Sequence, residues 1–279
     1  MLVAHLENRR VEAVGAQRGA DFVCSGCGAP VILRRGRKVV AHFAHRPSAA
    51  GTARTAETRG HLQAKRLLHD ALRARGLRAE AEFATEQVAW DRRADVMVWS
   101  PGSRLPVAIE FQHSTIGIPE LEVRAQTYAR AGIAQLWVPF LRPDAFTRAE
   151  LAVHGTRIVE RYPVRLHELW MYGMAPERAF WMFDPDTQTF WNARFGDHRL
   201  MNREAIWYEM GAVKRYTRGG ERRSRRYRSL RLAGPWSATE LRLRTVARPA
   251  HRTEWFEWPE CRVATFVGSR DEVCRSAVR

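Results

Sequence analysis

Asp95, Glu110 and Gln112 interrupt two apolar runs, ADVMVW (94–99) and VAIEFQ (107–112), which are separated by Pro101, Gly102 and Ser103. If both runs are strands, the period of two puts Glu110 and Gln112 on one face, and a hairpin brings Asp95 beside them. Two carboxylates facing each other at the ends of apolar strands repel unless a cation joins them. Such hard oxygen donors suit Mg2+ or Mn2+, and the main-chain carbonyl of Phe111 is expected to point at the same place. A divalent ion held there would lower the pKa of bound water and neutralise charge on a transferring phosphoryl group. Phosphodiester hydrolysis needs both.

The flanking segments must position these acids. ETRGHLQAKRLLHDALRARG (57–76) carries Leu62, Leu67, Leu68, Ala71 and Leu72 at helical spacing and is terminated by Gly76. Glu57, His61 and Lys65 are four apart and line one side of that helix. A row of this kind is often a solvated face. Placed just before an acid-bearing hairpin, it reads equally as part of the site, with Glu57 adding a third carboxylate. AEAEFAT (79–85), with the segment near Val88–Trp90, reads as a first strand. ELEVRAQTYARAG (120–132) is a helix closed by Gly132, with Arg124 and Tyr128 four apart, and AQLWVPF (134–140) is a strand apolar enough to be buried on both faces. The order helix, three strands, helix, strand predicts an α/β core, αβββαβ, whose mixed sheet gains its last strand through a crossover helix.

Residues 1–48 read as a separate small module. Cys24 and Cys27 form a CxxC pair, and after fourteen intervening residues His42 and His45 form a second pair, with VILRRGRKVV between them as a hairpin. Two close pairs of sulfur and imidazole ligands suit a structural, tetrahedral Zn2+, and Gly26 and Gly28 leave backbone amides free to donate to thiolate sulfur. The competing reading is a chance CxxC with histidines at a strand end. RPSAAGTARTA (46–56) is a linker, so the core is placed at 55–145 and an extension at 146–279.

The extension holds Trp170, Phe180, Trp181, Phe190, Trp191 and Trp207, read as core rather than as platforms for bases, with FWMFDPDTQTFWN as a hairpin. Its stretch 213–231 has nine basic residues against one acid, Arg222, Arg223, Arg225 and Arg226 among them. This predicts a flexible basic arm that binds phosphate without sequence preference, against the plainer reading of a solvated loop. Across all 279 residues the formal net charge is +16, almost entirely from arginine, with a sequence pI near 10.9. A polyanionic partner follows, and nucleic acid leads, because no amphipathic helix with a clean basic face is present to favour a membrane. There is no run of about eighteen apolar residues, and the first residues lack the order of a signal peptide, so a cytoplasmic location is expected.

Asp followed by Glu-x-Gln, where Glu-x-Lys is usual, on adjacent strands of an αβββαβ core resembles the restriction-endonuclease-like PD-(D/E)XK nucleases. More narrowly, the CxxC and HFAH module, E-x3-H-x3-K, RADV, IEFQHS and R-x3-Y before a Trp-bearing strand resemble the competence protein CoiA family over residues 20–210. The resemblance implies a Mg2+- or Mn2+-dependent deoxyribonuclease that processes incoming DNA, single strands included, for recombination during transformation, with recombination proteins as partners. It makes Asp95 and Glu110 metal ligands, Glu57 the helix acid, and Gln112 the occupant of the catalytic lysine position. Arg124 and Tyr128 would support the DNA or the site. Gln112 can orient water but cannot carry charge; Lys65 is a replacement for that charge, and His61 either carries a proton or orients Glu57. The rival class is a binding-only recombination accessory that keeps the nuclease fold. A ribonuclease is a third reading.

Overall fold

The computed structural model describes residues 1–46, 57–84, 93–99, 106–151, 156–176 and 179–268. The linker at 47–56, the segment Val88–Trp90, the turn at 101–103 and Cys274 lie outside these residues, as do the side chains of Trp207, Arg222 and Arg225.

The N-terminal module is an antiparallel sheet of β1 (Val3–Leu6), β2 (Arg9–Glu12), β3 (Phe22–Val23), β4 (Pro30–Arg34) and β5 (His42–His45), ordered β2-β1-β3-β4-β5. Phe22, Val31 and Phe43 close a small core with Cys24. The hairpin expected over 31–40 is displaced: β4 pairs with HFAH itself, Val31 opposite His45 and Arg34 opposite His42.

Helix α1 (Arg59–Ala74) starts at Thr58, whose hydroxyl accepts the His61 amide at 3.3 Å and so satisfies one of the open donors of the first turn. Leu62, Leu68 and Leu72 are buried along its inner side, each contributing about 1.5–3 kcal/mol on leaving water. The helix ends where Gly76 takes φ +77°, a conformation that costs a residue without a Cβ little. The antiparallel strands β6 (Arg78–Phe83), β7 (Ala94–Trp99) and β8 (Val107–Gln112) follow, then α2 (Ile118–Arg130) and β9 (Ala134–Pro139), which runs parallel to β8.

Beyond β9 come β10 (Ala149–Leu151), β11 (Thr156–Pro163), α3 (Leu166–Met174), β12 (Phe180–Asp184), β13 (Thr189–Glu209), β14 (Ala212–Trp236), β15 (Leu241–Arg248), β16 (His251–Arg252), β17 (Glu257–Trp258) and β18 (Cys261–Gly268). β18 lies parallel to β9 and β15 pairs with β18, giving a mixed central sheet ordered β15-β18-β9-β8-β7-β6. The sheet therefore runs past the boundary read at residue 145. One face packs Leu68 and Leu72 of α1 on Ile109, Phe111 and Val138, continued by Trp181, Phe190 and Phe266; the other packs Trp137 and Val263 under α2 and α3. Trp170, Phe180, Trp181, Phe190 and Trp191 are all buried, as core residues should be.

The basic stretch is not a loose arm. It is most of β14, paired along its length with β13 in a second antiparallel sheet ordered β10-β11-β14-β13-β12. Met210 and Gly211, both at positive φ (50° and 78°), make the two-residue turn between Glu209 and Ala212, the turn geometry whose twist matches the flanking strands. Among the described residues, no helix is long and apolar enough to cross a membrane.

Candidate functional site

Asp95 and Glu110 come from the adjacent strands β7 and β8 and line one open depression with His61, Gln112, His113 and Arg124. Asp95 Oδ2 accepts the His61 Nε2 proton and the Phe111 main-chain amide, both at 2.9 Å. The Phe111 amide is thus turned to the acid. His61 Nδ1 lies 3.0 Å from Glu57 Oε1, so the imidazole bridges the two carboxylates. Burial works against its cation, but the charge and hydrogen bond of Asp95 and the bond to Glu57 outweigh it and raise His61 to about 9. Burial likewise opposes the Asp95 and Glu57 anions; His61 chiefly offsets this at Asp95, and Lys65 at Glu57, so both carboxyls sit below their ordinary range.

Lys65 is 2% exposed and does not line the depression. Its Nζ pairs with Glu57, lies 2.5 Å from Glu82 Oε1 and 3.9 Å from Asp95 Oδ1. Burial disfavours its charge, but Glu82, Glu57 and Asp95 together raise its pKa above the ordinary lysine value. Its charge is spent inside this acid cluster. Glu82 was not visible as a site residue. The pairs Ala81–Val96 and Phe83–Ala94 put it opposite Asp95 across β6 and β7, and φ +53° takes it out of a regular strand conformation. Two like charges in register call for a cation between them, which is where Lys65 sits. That pairing could be sought in sequence only once the strand register was known.

Glu110, 3% exposed, accepts from the Tyr128 hydroxyl at Oε1 and pairs with Arg124 at 3.3 Å through Oε2. Burial is the main cause that pushes its carboxyl up to about 7; Arg124 pulls the other way, Asp95 adds to the rise, and the Tyr128 bond opposes it. Tyr128 is 1% exposed, so it cannot contact a polyanion and instead holds Glu110; Arg124 does the same and donates to the Arg93 carbonyl at 3.2 Å. For Tyr128 the nucleic-acid role is corrected accordingly; Arg124 lines the open depression. Gln112 donates to the Ser114 carbonyl at 2.7 Å. His113, also unread in the sequence, stacks on His61 with ring centroids 5.0 Å apart, and its pKa is lowered by burial and by the His61 cation.

A second cluster lies in the N-terminal module. Ligand atoms of Cys24, Cys27 and His45 fall within 4.8 Å of one another, with Cys27 Sγ 3.3 Å from His45 Nε2. The Gly26 amide donates to Cys24 Sγ at 3.4 Å, whereas the Gly28 amide bonds the Cys24 carbonyl at 2.9 Å. His42 is not part of this cluster; its Nδ1 lies 2.9 Å from the Val40 carbonyl. Residues 42 and 45 of one strand point to opposite faces, so both histidines cannot reach one ion. On β14, Arg223 and Arg226 are exposed.

The donor sets match two kinds of ion. Asp95 and Glu110 offer hard oxygens, each with lone pairs beyond those used in the hydrogen bonds described, and a dry carboxyl raised to about 7 gains most from a nearby cation. Two thiols and an imidazole suit Zn2+.

Residues 57–195 match the competence protein CoiA nuclease-like domain, and residues 4–53 match the competence protein CoiA N-terminal domain. The acid cluster thus falls in the nuclease-like domain. The chain belongs to the competence protein CoiA family. No curated protein and no solved structure matches it.

Proposed function

We propose that this protein is a Mg2+- or Mn2+-dependent nuclease that hydrolyses DNA phosphodiesters on a restriction-endonuclease-like PD-(D/E)XK core, in the DNA processing that accompanies transformation and recombination. The observation that carries the reading is the meeting of two acids from adjacent strands, Glu110 buried and Asp95 half-buried, in one open depression. Asp95 and Glu110 would hold the divalent ion, which when bound activates water and offsets phosphate charge. His61, protonated at neutral pH, fixes Asp95 from one side while the Phe111 amide fixes it from the other. Tyr128 and Arg124 orient Glu110, and Arg124 adds positive charge at the rim. Glu57 and Lys65 complete the support behind Asp95. Cys24, Cys27 and His45 would hold Zn2+ in the N-terminal module.

A second reading has its own observation. Gln112 is tied to Ser114 and Lys65 is enclosed by carboxylates, so neither brings free positive charge to an attacking water. That arrangement suits a DNA-binding recombination accessory with little or no turnover. Labelled single- and double-stranded DNA and RNA, incubated with Mg2+, Mn2+ or chelator, separate the readings. The nuclease reading expects metal-dependent cleavage of DNA that Asp95→Ala lowers by about a hundredfold or more. Tight DNA binding without metal-dependent cleavage of any substrate would establish the accessory, and cleavage of RNA alone would move the substrate class.

A further inference from the structure

Two of the contacts between the N-terminal module and the core lead to Asp95 and Glu110, the first buried and the second half-buried. In the first, Glu82 Oε1 accepts the Leu2 amide at 2.9 Å and Oε2 the Val3 amide at 3.3 Å, so the start of β1 is fastened to a side chain of the core. The same Glu82 pairs with Lys65 at 2.5 Å, and Lys65 reaches Asp95 at 3.9 Å. Leu2, Val3, Glu82 and Lys65 are all at most 5% exposed, so water cannot stand in for any of these contacts. Glu82 also holds φ +53°, a conformation that a residue with a Cβ keeps only where its surroundings fix it.

In the second route, Arg93 Nη1 donates to Ser25 Oγ at 2.7 Å, and the Arg93 guanidinium packs so closely on Gly26 that a Cβ there would lie 3.3 Å from it. Ser25 and Gly26 are the two residues between Cys24 and Cys27. The Arg93 carbonyl accepts from Arg124 at 3.2 Å, and Arg124 pairs with Glu110 at 3.3 Å. Arg93 stands two residues before Asp95. One route ends at each of the two acids.

We propose that the N-terminal module is a positioning element of the acid site: Glu82 and Arg93 are positioning residues that set Asp95 and Glu110 through Lys65 and Arg124, and the CxxC turn bears directly on Arg93. This rests on the metal-dependent reading of Asp95 and Glu110 and adds how that site is regulated. The CxxC turn that Arg93 grips is thereby coupled to the capacity of the acids to bind a divalent ion. A module that merely covered the core would make contact without reaching the acids. Glu12 of β2 supplies such a contact, pairing with Arg73 at 3.1 Å and Arg66 at 3.4 Å on the outer side of α1.

The full chain carrying Glu82→Gln, Arg93→Gln or Glu12→Gln tests this by two measurements. Calorimetry reads Mn2+ affinity, and hydrogen exchange at the Phe111 amide, which donates to Asp95, reads the position of that acid without any metal or turnover. Glu82→Gln and Arg93→Gln are expected to weaken Mn2+ binding and to speed Phe111 exchange about tenfold each, within the usual range of site coupling, while Glu12→Gln does neither. Unchanged Phe111 exchange in Glu82→Gln and Arg93→Gln, or equal acceleration in Glu12→Gln, overturns the proposal. Should Glu82→Gln fail to fold, Arg93→Gln, altered at a half-buried side chain, decides by the same criterion. A wild-type chain that binds no Mn2+ would sink the metal-dependent reading, and Phe111 exchange would still decide whether the module positions Asp95.

Discussion

His61 bridges Glu57 and Asp95, and those two anions hold it protonated well above the range of a free imidazole. This has a consequence for folding. Between about 6.5 and about 9 the folded protein keeps the His61 proton and the unfolded chain has lost it, so stability is full below that window and falls as pH rises through it. The loss across the whole window is on the order of 3–4 kcal/mol at about 1.4 kcal/mol per pKa unit. Glu110 is also raised, but its share is lost lower, between about 4.5 and about 7, which leaves the alkaline part of the range to His61. Urea unfolding at pH 7 and pH 9 without divalent ions should show the decline in the wild type, and His61→Gln should flatten it. A wild-type stability that holds level across that range would mean that His61 is not a charged bridge.

At the scale of elements, α1, the apolar strands and the helix bearing Arg124 were legible because periodicity of 3.6 or 2 is a local property of the chain, and burial follows it closely. The row Glu57, His61, Lys65 was legible for the same reason. The pairing of strands was not, since register depends on partners far away in sequence. The cluster of Cys24, Cys27 and His45 shows this plainly. Spacing alone offered two cysteines and two histidines, but HFAH forms β5, opposite β4, and a strand presents only one of its two histidines to the cysteine turn. Metal analysis of purified protein should therefore find bound zinc lost in Cys27→Ser and His45→Ala and kept in His42→Ala. Loss of zinc in His42→Ala with retention in His45→Ala would reverse the assignment.

At the scale of the molecule, the charge of +16 has a structured carrier. Composition alone suggested a flexible arm because arginine and glycine repeats carry no apolar alternation; the partner strand β13, pairing from Met201 opposite Arg222 to Glu209 opposite Ala212, is what orders it. The central sheet has a similar history: β18 and β15 join it from beyond residue 240, a contact no local pattern announces. A stiff hairpin differs from a loose arm in what it does to a polyanion, since it presents its arginines at fixed places without losing chain entropy on binding. Arg223 and Arg226 are exposed on it, and the Arg226 guanidinium stacks 5.5 Å from the Tyr227 ring centroid, which orients it further. If these two side chains each neutralise one phosphate, replacing both by alanine should lower the slope of log affinity against log salt by about 1.4–1.8, the weakening being the same for every DNA sequence. Mn2+ binding at Asp95 and Glu110 should stay as in the wild type, because neither arginine belongs to that cluster. Filter-binding titrations from low to high salt would measure the slope, and a slope unaltered by the double replacement would place the nucleic-acid surface away from this hairpin.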